Sequence, residues 1–205
     1  MKIVLISGKL QSGKNTAAEY IKTLLEDKGK SVKTDLFAKS VKDGCKEDFK
    51  KLAEVLNTFV DDILTSELFS SEICINILRK LRISDENWYE NKTDITRVLL
   101  QIYGTDIFRK RVSIDYWVDD FIKRIANKKC DYLLVTDVRF LNEIEGIFKS
   151  GHEIITIRIN RNIETKSEHI SETALDNYLF WNHVIENNDT KDELFKQCKI
   201  IINQI

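Results

Sequence analysis

The stretch that decides the fold is Ile3-Val4-Leu5-Ile6-Ser7-Gly8-Lys9-Leu10-Gln11-Ser12-Gly13-Lys14-Asn15-Thr16, which runs on into Ala17-Ala18-Glu19-Tyr20-Ile21. Four consecutive apolar residues suit a strand buried on both faces of a parallel sheet. Gly8, Gly13 and Lys14 then satisfy the spacing GxxxxGK, a glycine-rich turn whose backbone N–H groups wrap phosphate oxygens while the lysine offsets their charge. The residues from Thr16 to Ile21 begin a helix whose N-terminal dipole points at the same anion. An ordinary Gly/Ser turn is the plainer alternative, but strand, loop and helix all agree with phosphate binding. One position departs from the commonest pattern: Asn15 stands where Ser or Thr usually offers a hydroxyl to Mg2+. Thr16, next along, can supply that hydroxyl, and an amide oxygen is itself an acceptable ligand for a hard cation.

Working outward, the whole chain bounds what such a loop can serve. It has 205 residues, 42% hydrophobic and 32% charged, enough for a single α/β domain spanning 1–205 with a modest insertion. A formal net charge of −1 gives no general attraction to nucleic acid or to an anionic membrane, so neither is expected as a partner. Cys45, Cys74, Cys130 and Cys198 are widely separated, form no CxxC pair and read as reduced structural thiols. The N-terminal apolar run is too short for a signal sequence, and no stretch approaches the roughly 18 apolar residues of a membrane span. A cytoplasmic protein is expected. Proline is absent, which leaves helix ends to capping residues and glycine.

In chain order, Ser31 to Leu36 reads as a second strand whose end, Asp35 to Lys42, faces the side where open α/β sheets bind ligands. Asp35, Lys39 and Lys42 either meet substrate there or are solvated charges. Apolar residues at three and four from Glu47 to Leu64 predict an amphipathic helix, and Leu68 to Ile83 a second, before an exposed loop at Ser84 to Lys92. This helical insertion, about 46–127 in full, is either a substrate cover or extra packing. Arg97 and Gln101 share one helix face, with Gly104 expected to end that helix. An amide suits a base edge and a guanidinium suits a phosphate, although such a face is more often simply solvated. Ser113 to Asn127 predicts another helix, in which Trp117 is by default a core or interface residue.

Asp131 to Asp137 is an apolar strand ending in a carboxylate. Asp137 either holds Mg2+ or its water, orients an acceptor, or caps a helix. Behind it, Arg139 points at the same edge, and Glu143 is placed to pair with it at i, i+4. Glu153 to Ile159 forms a fourth strand, flanked by Arg158 and Arg161. The polar segment that follows, about 160–172, reads as a lid able to close over phosphates. His169, Ser171 and Glu172 are too crowded, and lack the nucleophile turn, for a hydrolytic triad. Trp181 to Glu186 is a fifth strand, and Lys191 to Asn203 a terminal helix.

Taken together, SGKNT at 12–16, DLFAKSVK at 35–42, RVLLQIYGTDIFR at 97–109, DYWV at 115–118, TDVRFLNE at 136–143 and HISE at 169–172 resemble the viral, bacteriophage-type deoxynucleoside monophosphate kinases. The resemblance spans nearly the whole chain. It implies a three-layer α/β/α P-loop kinase fold with a five-stranded parallel sheet and a helical substrate-binding insertion. It implies ATP as co-substrate, held by Gly8, Ser12, Gly13, Lys14, Asn15 and Thr16 with Arg158 and Arg161, and Mg2+ at Asn15, Thr16 and Asp137. It implies a deoxynucleoside monophosphate surrounded by Lys39, Arg97, Gln101, Gly104, Thr105 and Trp117, with Asp137, Arg139 and Glu143 on its sugar and phosphate side. That family usually has Asp where Asn15 stands.

Phosphoryl transfer needs two anions held in line and their charge offset by cations in a site closed to water. Lys14 serves the donor, and Arg109 and Arg139 are the best-placed cations for the acceptor or the transferring phosphoryl group. The expected activity is transfer of the γ-phosphoryl of ATP to a dNMP, giving dNDP and ADP in the cytoplasm, or in a host's cytoplasm for a viral protein. Two alternatives stay open: a P-loop kinase of another small phosphorylated metabolite, and a non-catalytic nucleotide-binding regulatory module, to which Asn15 lends slight support. A homodimer is compatible with the sequence.

Overall fold

The computed structural model describes residues 1–48, 100–162 and 169–205. Arg97, Cys74, the predicted helices beyond residue 48, the loop at 84–92 and the middle of the proposed lid lie outside them. Two compact units divide the chain, one of Met1–Lys39 with Phe108–Ile205, the other of Ser40–Ile107.

The first unit is built on a parallel sheet. Its strands are β1 (Lys2–Gly8), β2 (Val32–Asp35), β3 (Tyr132–Val138), β4 (Glu153–Asn160) and β5 (His183–Glu186), in the order β2-β3-β1-β4-β5. The apolar run predicted to be buried on both faces is the central strand: Ile3, Val4, Leu5 and Ile6 are fully buried between β3 and β4. Strand alternation splits them. Val4 and Ile6 pack with α1 (Lys14–Asp27), through Ala17, Ala18, Ile21 and Leu25, and with the C-terminal helix (Lys191–Gln204), through Leu194, Cys198, Ile201 and Ile202. Ile3 and Leu5 pack on the other face against Val118, Phe121 and Ile125 of α2 (Tyr116–Ile125) and Ile144 and Ile147 of α3 (Leu141–Lys149). The result is the expected three-layer α/β/α arrangement, in which each fully buried Ile or Leu contributes about 1.5–3 kcal/mol.

Because α2 carries core residues of this unit, the stretch from Phe108 belongs to the sheet unit, whereas the sequence reading ran the insertion on to 127. Asp35, read as either a substrate contact or a solvated charge, is a buried structural carboxylate. Its carboxylate is buried and paired with Arg124 and Lys128, and it accepts the Leu36 N–H at 2.8 Å. Burial pushes this carboxyl up, but Lys128, the Leu36 N–H and Arg124 outweigh it and hold it below the usual range.

Within the second unit, the described residues 40–48 are helical, and the Tyr103 hydroxyl donates to Asp48 Oδ2 at 2.6 Å. Gly104 does not end a helix. It lies inside the π-helical segment Ile102–Arg109, so the helical run continues through the glycine. A π turn holds more residues than an α turn, which moves the faces out of the phase that 3.6-residue spacing predicts. Among the described residues, no helix is long and apolar enough to cross a membrane.

Candidate functional site

Sheet order fixes where a ligand can enter. The helix after β1 packs on one face of the sheet and the helix after β3 on the other, although β1 and β3 are neighbours. Their outgoing loops therefore part and leave a crevice at the carboxyl ends of the two strands. The glycine-rich loop rises from β1 on one side of it, and Asp137 and Arg139 from β3 on the other.

The loop is shaped by two glycines. A Cβ on Gly8 would lie 2.5 Å from the Ile159 carbonyl oxygen, so β4 can approach only a residue without a side chain. Gly13, with φ 97°, caps α1 in a left-handed conformation, and a Cβ there would collide with the Asn187 amide. Asn187 Nδ2 donates to the Ser12 carbonyl at 2.8 Å and so buttresses the loop from the end of β5. The Ser12 hydroxyl is buried with no hydrogen-bond partner among the described residues. Lys14 bends back over the loop, donating to the Gly8 carbonyl at 2.7 Å and the Lys9 carbonyl at 2.6 Å. Burial, with Arg139 and Arg158 nearby, lowers its ammonium to about 8 against the opposing pull of Glu172 and Asp137. Lys14, Arg139, Arg158, Asp137 and Glu172 thus form one electrostatic cluster.

Within that cluster the arginines differ. Arg139 Nη1 donates to Glu172 Oε2 at 2.7 Å, the one side-chain hydrogen bond of this guanidinium among the described residues. Arg158 is a β4 residue in register with Ser7. It is fixed to Ser7 Oγ at 3.2 Å and to Asp176 Oδ1 at 2.9 Å. Arg161 is exposed, with a long contact of 3.4 Å to the Gln11 carbonyl. His169 caps the short helix Ile170–Thr173, its Nδ1 accepting the Ser171 N–H at 3.2 Å and lying 2.8 Å from Ser171 Oγ, while Glu172 is bound to Arg139, so the carboxylate does not complete a triad with them.

Asp137 lies one residue before the end of β3. It caps the chain after β2: Oδ1 accepts the Phe37 N–H at 3.0 Å and Oδ2 the Ala38 N–H at 2.8 Å. Burial raises its carboxyl against those N–H groups and Arg139. Glu143 does not pair with the Arg139 side chain. Its Oε2 accepts the backbone N–H groups of Arg139 (2.7 Å) and Phe140 (3.1 Å), closing the first turn of α3, while Oε1 binds the Arg109 guanidinium. Burial pushes this carboxyl up to about 7 in spite of Arg109.

Arg109 is consequently enclosed. Besides Glu143, it donates to Asn142 Oδ1 and to the Ile114 carbonyl, each at 3.2 Å, and lies 4.1 Å from the centre of the Phe140 ring. Trp117 is only 4% exposed and packs against Phe108 and Tyr116, with ring centres 4.9 and 4.8 Å away, so it is a core residue and not an open stacking surface. Lys39 is exposed. Gln101, Gly104 and Thr105 lie in the second unit, on the helical run.

Asn15 is exposed and Thr16 half-buried at the start of α1. Among the described residues no three acidic, His or Cys side chains gather to hold a metal by themselves. Mg2+ needs no such cage. It keeps several waters and binds by one or two protein oxygens plus substrate phosphates, which the amide and hydroxyl beside this loop suit.

Sequence reading did not find the functional contacts of Glu172, Asp176 and Asn187. For the first two the available signal was their spacing of four, one helical turn, at the end of the predicted lid. For Asn187 it was a polar residue just past a strand end, on the edge where ligands bind. Comparison with curated proteins finds no match. The sequence model of the deoxynucleotide monophosphate kinase family matches residues 49–198, a stretch that takes in Asp137, Arg139, Glu143 and Glu172 and begins after the glycine-rich loop. The chain belongs to the deoxynucleotide monophosphate kinase family.

Proposed function

We propose that the chain transfers the γ-phosphoryl group of ATP to a deoxynucleoside monophosphate, giving the diphosphate and ADP. The observation that carries this reading is the meeting of Lys14 and Arg139 at the divergent ends of β1 and β3, in a chain of this family. Lys14 and the N-terminus of α1 hold the donor phosphates, and the buried Ser12 hydroxyl is a further unused donor in the same loop. An incoming phosphate favours the ammonium form of Lys14, so binding draws a proton onto Nζ.

Arg139 offsets the charge of the transferring group, because its guanidinium has five N–H donors and only one is taken by a side chain. Arg109 takes a supporting role instead, with Glu143 fixing the turn that carries Arg139. An anionic phosphate oxygen of the acceptor attacks the γ-phosphorus, the bond to the bridging oxygen breaks, and ADP leaves with that electron pair. No protein nucleophile is needed. Asn15 and Thr16 would hold Mg2+, with Asp137 acting through water, since both its oxygens already accept N–H bonds; the metal, when bound, neutralises donor phosphate charge. The assignment of Lys39, Arg97, Gln101, Gly104 and Thr105 to the acceptor rests on the sequence resemblance. ADP release measured with ATP and Mg2+ across deoxy- and ribonucleoside monophosphates, against a blank without acceptor, tests the reading. Stimulation by one or more deoxynucleotides is expected, and bound ATP without any acceptor-dependent turnover would overturn it.

A further inference from the structure

We propose that Glu172 is a positioning residue of this transfer reaction, tying the Arg139 guanidinium to the outer limb of the glycine-rich loop. A single oxygen, Glu172 Oε2, accepts both the Leu10 N–H at 3.2 Å and Arg139 Nη1 at 2.7 Å. Leu10 lies in the loop that rises from β1, and Arg139 in the turn that follows β3. The carboxylate therefore joins the two walls of the crevice at one atom. Its side chain is 7% exposed, so water competes weakly for either bond, and a charged acceptor strengthens both.

The segment that presents Glu172 is itself fixed. Leu175 is 3% exposed and packs in the core with Phe37 and Val138. One turn beyond Glu172, Asp176 repeats the arrangement, taking Lys9 at 3.0 Å and Arg158 at 2.9 Å. Two neighbouring loop residues, and two arginines from the strands on either side of β1, are thus held by two carboxylates on one anchored turn. Arg139 has a long side chain with many rotamers, and its backbone anchor on Glu143 leaves those rotamers free. Glu172 selects one of them and leaves the remaining N–H groups open to phosphate oxygens. Preorganisation of this kind acts on the transition state more than on ATP affinity.

The inference rests on the phosphotransferase reading, and its test separates the two. Glu172→Ala, Glu172→Gln, Arg139→Ala and the double variant Glu172→Ala/Arg139→Ala are compared with the parent protein in turnover, MgATP affinity by calorimetry and thermal midpoint. Glu172→Ala is expected to lower kcat by about 10–100-fold while KM for ATP changes less than about threefold. Glu172→Gln, which keeps an acceptor oxygen, should recover part of the loss, and the double variant should be no slower than Arg139→Ala alone. Losses that multiply in the double variant, an unchanged kcat in Glu172→Ala, or a loss that merely follows a lowered thermal midpoint in both Glu172 variants would overturn the proposal. If the parent protein shows no acceptor-dependent turnover, the kinase reading fails by itself. The same four-protein cycle on the thermal midpoint then decides, with coupling supporting the tie and additivity sinking it.

Discussion

Arg139 and Arg109 each answer to a glutamate, but in different regions and with different consequences. At the crevice between β1 and β3, Arg139 gives one N–H to Glu172 and keeps the rest. Between α2 and α3, Arg109 gives three hydrogen bonds, to Glu143, Asn142 and the Ile114 carbonyl, and lies over Phe140 besides. Residue type is the same, so availability of donors separates a group that can meet a ligand from one that holds the scaffold. Asp35 with Arg124 and Lys128 is a second spent cluster, and Lys14 a second cation of the crevice.

The comparison can be broken at either end. Lys14→Ala should lower turnover by about 10⁴-fold, within the range for removing a cation from phosphoryl transfer, with the thermal midpoint nearly unmoved; a folded and fully active variant would remove Lys14 from the site. Arg109→Ala strands Glu143 in the interior without its cation and should cost about 3–5 kcal/mol in urea unfolding. Turnover per folded molecule should hold in that variant, and a large selective loss of kcat would return Arg109 to the chemistry.

Arg139→Ala sharpens the contrast from the other side. It should lower kcat by about 100-fold, about 2.7 kcal/mol of transition-state stabilisation, with little change in unfolding free energy.

The smallest effect concerns pH. Because burial lowers Lys14 to about 8, its charge disappears as pH rises through that value, and ATP affinity should fall about tenfold between pH 7 and 9. Folding shows the opposite trend: from about pH 8 to the ordinary lysine value of 10.5, the unfolded chain binds the proton more tightly, so this residue adds stability as pH rises. Calorimetric titrations across the range check the first statement, and a flat profile would show that Lys14 stays charged throughout.

Much of the sheet unit was legible because its signals are local. All five strands were placed, three of them, β1, β3 and β4, as runs that the sheet buries, and the spacing of Gly8, Gly13 and Lys14 gave the loop between β1 and α1. Partner choice was not legible. Glu143 was paired in sequence with Arg139, four residues away, but the structure sets it against Arg109, 34 residues away. A helical-face rule sees only i, i+4 neighbours, while the packing of α2 beside α3 decides which guanidinium arrives. Trp117 shows the same limit: periodicity put it on the apolar stripe of a helix, and only packing with Phe108 and Tyr116 reveals that the stripe is closed. Glu172 carried no signal in isolation, since its value lies in standing between two loops that the sheet order brings together.

The place of β1 in the middle of the sheet bears on how the chain comes off the ribosome. Strand β1 precedes both of its sheet neighbours, β3 and β4, in sequence, and its loop rests on Asn187, 175 positions downstream of Ser12. Closing such distant contacts is slow and must wait until β3, β4 and Asn187 have emerged, so the apolar run of β1 stays exposed until then. A chain cut short before β5 keeps the whole glycine-rich sequence yet lacks the strut that shapes it. The shape of the loop that would hold phosphate thereby depends on a residue just past β5.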